Sequence, residues 1–335
     1  MAEREGASLI LASSPHIVSP VETKQLMARV LIALGPVSIF GVCIFGIPAL
    51  LTILVAVAAA ILAEAGFRRL LGKDIRVQDC SAAVTGLLVA LILPPGTPLW
   101  MTALGSVFAV VVAKEFFGGL GANVFNPALI GRAFLLMSFP AAITTWRRPG
   151  GFGFNTDAVS APTPLNVLKQ EGGIGDIALS MGLDPSGGYA SVIGNLFLGN
   201  HGGCIGETSI LCILAGAGYL LITKTIDYRA PAAMIAATVL GSGVLGMDPL
   251  FALMSGGVLF GAVFMATDYV TAPITPAGKV IFGFGAGLIT VLIRKWGNYP
   301  EGVTYGLLIM NGVTPYLNRL LPRKYGFVPK PKGGK

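Results

Sequence analysis

The sequence predicts an all-α polytopic membrane protein of about ten transmembrane helices, arranged as two inverted five-helix repeats with re-entrant segments. Three observations carry this. Hydrophobic residues make up 54% of the 335 and charged residues 12%, against about 25% charge in a typical soluble domain. Mean hydropathy is +0.76, and several windows of about twenty residues are apolar and nearly free of charge, long enough for a helix to cross a bilayer. The two halves also share a loose internal pattern. The 46 glycines and 22 prolines suit close helix packing.

The elements follow in order. Residues 1–25 are polar, contain Pro15 and Pro20 and lack an apolar core, so they read as a cytoplasmic tail, not a cleaved signal peptide. The first membrane repeat, 26–146, holds spans at about Val30–Gly46, Ile47–Phe67, Ser81–Leu93, Leu99–Ala113 and Ala128–Trp146. Arg68, Arg69, Lys73 and Arg76 follow the second span and mark the cytoplasmic side. The uncharged Pro94–Pro98 turn suits the outer side. Five spans from a cytoplasmic N-terminus place the polar stretch 147–187 outside the membrane.

Residues 188–321 form the second repeat. Gly188–Leu198 is apolar but too short to cross. As a full crossing it would put Lys224, Arg229 and the basic tail 322–335 outside; as a re-entrant half-helix it keeps them inside, which the charge rule favours. The remaining spans then fall at about 207–225, 230–246, 249–267, 278–293 and 303–318, with both termini cytoplasmic. The internal pattern pairs Thr85-Gly86 through Pro94-Pro95, Lys114 and a glycine-rich turn with Ser255-Gly256-Gly257 through Pro273, Arg294-Lys295 and Gly297 to Gly302. Inverted repeats place broken helices and binding sites near the midplane.

The net charge of +7 does not indicate nucleic acid, because the basic residues sit at segment ends and in the tails. Cys43, Cys80, Cys204 and Cys212 form no CxxC pair and read as apolar fillers, with one cysteine of a shared site as the alternative. His16 and His201 have no companions at ligand spacing, so no metal site is expected. The Gly118-Gly119-Leu120-Gly121 turn lacks the lysine and hydroxyl of a phosphate loop. No Ser-His-Asp arrangement stands out, and no catalytic residue is assigned.

Two sets of residues could carry chemistry. Ionisable groups in or at the ends of spans are costly and become functional candidates: Glu64, Lys114, Glu115, Arg132, Glu207, Asp268 and Glu301. Arg132 can pair with Glu115 or bind a phosphate or carbonyl. Glu207 can favour a helix dipole or line an ion path, and Asp268 can simply end a helix. Glu115, Glu207 and Asp268 are the ion-path candidates. The other set is Asp157 to Leu165, where Thr163 stands between Pro162 and Pro164 in a polar connection of about forty residues without periodicity. A hydroxyl on a stiff exposed loop is an acceptor for covalent modification; a plain proline-stiffened turn is the alternative.

Four signatures together resemble a known family. They are Lys114–Gly121 with Asn126-Pro127-Ala128-Leu129 and Gly131–Leu135; Asp157–Leu165; Gly202–Ser209; and Phe264–Asp268 with Tyr299–Val303. The resemblance is to the D subunit of the Rnf complex and its relative, the B subunit of the sodium-pumping NADH:quinone reductase. It implies FMN joined by a phosphoester to Thr163, with Asp157 and Ser160 as the matching residues of the attachment segment, and a flavin transferase that uses FAD as donor. This chain departs at Ala161-Pro162, where relatives often carry Gly-Ala. A second flavin, riboflavin or FMN, is implied among the helices; Asn123, Asn126 and Arg132 are its candidate ligands.

A flavin takes two electrons and releases them singly, which suits a relay between one-electron centres. The partners implied are membrane subunits A and E, flavoprotein G, iron–sulfur subunits B and C, membrane lipid, and Na+ or H+. The location implied is the cell inner membrane. The alternatives are quinone reduction, as in the relative, or a flavin-free solute channel of urea-transporter type.

Overall fold

The computed structural model describes residues 22–74, 77–147, 162–170, 173–184, 187–297 and 302–319. Asp157, Ser160, Glu301, most of the two tails and much of the 147–187 connection lie outside the described residues.

Among the described residues every regular element is helical. The first half contains α1 (Thr23–Phe45), α2 (Ile47–Leu70), α3 (Ser81–Leu91), α4 (Leu99–Val110), α5 (Pro127–Ser138) and α6 (Pro140–Ile143). Two short helices follow, α7 (Pro164–Lys169) and α8 (Ile174–Met181). The rest comprises α9 (Gly188–Leu198), α10 (Ile210–Ile222), α11 (Arg229–Val244), α12 (Pro249–Met254), α13 (Val258–Phe260), α14 (Pro276–Trp296) and α15 (Val303–Leu317). Helices α1, α2 and α14 are each long and apolar enough to cross a membrane unaided. Large apolar side chains face outward along them, Ile39 66% exposed and Leu62 70%, as a lipid-facing surface requires.

The helix starts are written locally. Asn126 accepts from Ala128 N–H at 3.0 Å, Asp248 from Leu250 N–H at 2.9 Å and Thr275 from Gly278 N–H at 3.1 Å. A proline follows each cap at the first helical position, where its missing N–H costs nothing. Close helix contacts rest on glycine: a Cβ at Gly306 of α15 would stand 2.7 Å from the Ala286 carbonyl of α14.

Two features depart from simple spans. Helices α4 and α13 each run into one π-helical turn, Val111–Glu115 and Gly261–Met265; such turns mark interruptions of the helical ladder, frequently at functional sites. The crossing expected at 249–267 is broken at Ser255-Gly256-Gly257, with Gly256 left-handed at φ +69. The 147–187 connection is also more ordered than its lack of periodicity suggests. Ile177, Ala178 and Met181 share one face of α8 and pack with Leu165 and Val167 of α7 against Val192, Leu196 and Phe251. Helices of six and eight residues are too short to show a period in the sequence.

Side-chain ties show which ends meet. Arg29 of α1 donates to Thr223 O at 3.3 Å, Lys279 of α14 pairs with Asp227 at 3.0 Å, and Asn126 reaches Asp268 at 3.4 Å, all at one end of the molecule. At the other end Lys169 bonds the carbonyl of Gly297. Lys279 and Gly297 are separated by roughly 27 Å of helix, close to a bilayer's hydrocarbon thickness.

Candidate functional site

The first end is organised by a buried charge network. Lys114 sits in the π turn after α4, 1% exposed. Its ammonium lies 3.1 Å from Glu64 of α2 and 2.6 Å from the Ser81 hydroxyl that begins α3. Arg68 lies 3.1 Å from Glu115 and 3.6 Å from Glu64. Two carboxylates and two cations are thus held out of water together, which is tolerable only because each has an opposite partner and hydrogen bonds.

Beside this network lies a narrow, mostly apolar chamber of about 70 Å³ between the two halves. Its polar wall is Ser81, Lys114, Asn123, Asn126 and Asp268. Asn126 uses Oδ1 to cap α5 and Nδ2 to reach Asp268. Asp268 also accepts from Thr271 at 2.9 Å. Asn123 donates to Phe125 O at 3.1 Å, while its Oδ1 is buried without a hydrogen-bond partner.

The opposite end holds Thr163. It is 7% exposed, so the hydroxyl is not held out on an exposed loop. It caps α7, accepting from Asn166 N–H at 3.2 Å. It faces His201, Glu207, Ser255 and Gly256 across a tight recess of about 10 Å³. On the other side of Leu165 lies a cavity with Lys169, Arg294, Lys295 and one carboxylate, Asp248. Arg294 donates to Ser255 O at 2.9 Å and so ties this basic group to the broken crossing.

Glu207 is 4% exposed. It pairs with Arg132 of α5 at 3.4 Å. The partner of Arg132 is therefore Glu207, and Glu115 goes to Arg68. The loop before Glu207 is fixed by backbone bonds from Ile205 and Gly206 to the carbonyls of Leu93 and Leu91, at 3.2 and 2.7 Å. A Cβ at Gly257 would lie 2.9 Å from the Glu207 carboxyl carbon, so glycine is needed where the crossing breaks.

The structure therefore separates the candidate residues. Asn123, Asn126 and Asp268 share the chamber with Lys114, and Glu115 lies in the neighbouring network. Arg132 lies away from the chamber, with Glu207 on the Thr163 side. Ser81, Ser255 and Lys169 were not among the sequence candidates. Their signal is weak: they are ordinary residues beside a span end or in a polar connection. Within the described residues no cluster of His, Cys, Asp and Glu could hold a metal.

The fold is that of an α-helical membrane protein, with three helices long and apolar enough to cross a bilayer and buried charge pairs between its helices. The chain belongs to the NQR2, RnfD, RnfE family, whose profile matches residues 10–326. It is 42% identical over 324 residues, 94% of this chain and 96% of the relative, to the D subunit of the proton-translocating ferredoxin:NAD(+) oxidoreductase complex of Clostridium ljungdahlii. It is 40% identical over 322 residues, 95% and 96% of the two chains, to the Na(+)-translocating counterpart of Acetobacterium woodii. It is 39% identical over 329 residues, 90% and 92%, to the D subunit of the ion-translocating oxidoreductase complex of Stutzerimonas stutzeri.

Proposed function

We propose that this chain is the D subunit of an Rnf-type complex that couples ferredoxin:NAD oxidoreduction to Na+ or H+ translocation, and that it works as a flavin-carrying membrane subunit with no catalysis of its own when isolated. The observation that carries this is the match to D subunits of such complexes over nine-tenths of the chain or more. FMN attached at Thr163 and a noncovalent flavin, riboflavin or FMN, would supply the step between two-electron and one-electron transfer.

The residues at both ends fit these groups. At Thr163 an ester oxygen still accepts the Asn166 N–H, so the α7 cap survives attachment, and Lys169, Arg294 and Lys295 offset phosphate charge nearby. The chamber's walls are apolar, as the face of a ring system needs, and the unpartnered Asn123 Oδ1 awaits a donor. Asn123 and Asn126 would be its polar contacts there, while Arg132 lines a separate recess with Glu207. Asp268, Glu115 and Glu207 would be the carboxylates that hand a cation along, Glu115 and Glu207 on release from Arg68 and Arg132. The relatives named for H+ and for Na+ are about equally similar to this chain, and a carboxylate serves either ion.

The frame for this is ten crossings of the inner membrane in two inverted repeats, both termini cytoplasmic and Thr163 outside. Ser81 at the start of the third crossing and Ser255 at the break in its counterpart contact Lys114 and Arg294, the basic residues at the ends of the fourth crossings. Subunits A, E, G, B and C and a flavin transferase are the partners.

Membrane vesicles carrying the complex should show ferredoxin-driven NAD reduction with ion uptake, and both should vanish when this chain is deleted. Quinone reduction in place of NAD reduction would assign the complex to the sodium-pumping quinone reductase branch. Asn123→Leu should release the noncovalent flavin roughly tenfold more readily, the effect of one lost buried hydrogen bond. Flavin freed on dialysis reports it, while the covalent flavin stays.

A further inference from the structure

At the end where α10 finishes and α11 and α14 begin, a groove of about 600 Å³ opens to the outside. Lys224, Arg229 and Lys279 line it, together with two carboxylates, Asp227 and Asp268. Asp227 lies 3.0 Å from both Arg229 and Lys279. Burial pushes the Asp227 carboxyl up, but the hydrogen bonds from Arg229 and Lys279 outweigh it and hold it below the usual range. Three cations thus share the groove with two carboxylates, of which Asp227 is already committed twice over and Asp268 is held by Thr271 and Asn126.

The walls of the groove are apolar: Leu221 is 43% exposed and Ile274 79%. Tyr228, 62% exposed, lies under the Arg229 guanidinium at 5.7 Å. Lys224 holds a left-handed backbone, φ +51, at the residue after the α10 cap, where glycine is the usual choice. The chain keeps a lysine there at a conformational cost.

We propose that this groove binds the headgroup of an anionic phospholipid, its phosphate among Lys224, Arg229 and Lys279 and its acyl chains along Leu221 and Ile274. A basic floor with aliphatic walls at the membrane boundary is complementary to that amphiphile. A free phosphate would leave the walls unused, and an acidic protein segment would not need them.

The test titrates the full-length chain in detergent with phosphatidylglycerol, phosphatidylcholine or inorganic phosphate and reads bound lipid by native mass spectrometry. Phosphatidylglycerol should be retained over phosphatidylcholine, and free phosphate should not displace it. Lys224→Gln with Lys279→Gln should weaken retention roughly tenfold, and Lys224→Gln alone by a few-fold. The single variant decides if the double does not fold. Equal retention of both lipids, displacement by phosphate, or unchanged affinity in the variants would each overturn the proposal.

Discussion

Thr163→Val is expected to abolish covalent flavin fluorescence of the denatured chain when it is expressed with an active flavin transferase. Valine keeps the shape and β-branching of threonine but offers no oxygen to form an ester. It also removes the acceptor for Asn166 N–H, costing the α7 cap about 1 kcal/mol. Two further variants separate these effects. Thr163→Ser keeps both hydroxyl and cap and should remain fluorescent. Thr163→Asn keeps a capping oxygen but no hydroxyl, and should be dark with α7 intact. Because Thr163 is only 7% exposed, facing His201, Glu207 and Ser255, attachment requires the α7 segment to be away from the membrane body. A fluorescent Thr163→Val band would remove Thr163 from the proposal. A dark wild type would point to Pro162 or its loop as the block to attachment.

Lys114→Met should destabilise the chain by about 3–5 kcal/mol, the usual consequence of leaving a buried carboxylate without its cation. Glu64 is 0% exposed and its nearest cation is the Lys114 ammonium at 3.1 Å. Arg68, at 3.6 Å, is already shared with Glu115. Adding Glu64→Gln to Lys114→Met removes the orphaned charge and leaves Arg68–Glu115 in place, so the double variant should recover most of the loss. The midpoint of denaturant unfolding in mixed micelles, compared across the two variants and the wild type, measures both. A single variant as stable as wild type would show that the network contributes nothing to the fold.

Much of the architecture was legible in the chain. The apolar runs of α1, α2 and α14 are continuous enough to be read by length alone. Asn126-Pro127, Asp248-Pro249 and Thr275-Pro276 mark helix starts because cap and proline act within four residues of each other. The sites were legible only in part. Lys114, Glu64, Arg132 and Glu207 stand out as charges in apolar surroundings, but their partners lie 50 and 75 residues away along the chain. Arg132 could as well have met Glu115.

The sequence by itself determined the class of protein, the helix starts, the short list of costly charges and the candidate hydroxyl, since each depends on composition or on residues within a few positions of one another. Only the tertiary structure decided which carboxylate neutralises which cation, that Asn123 and Asn126 share a chamber with Asp268 while Arg132 lies elsewhere, and that Thr163 is covered. Those outcomes depend on which helices meet, and that is set by packing of glycine-lined surfaces distant in the chain, where local sequence holds no record of the partner.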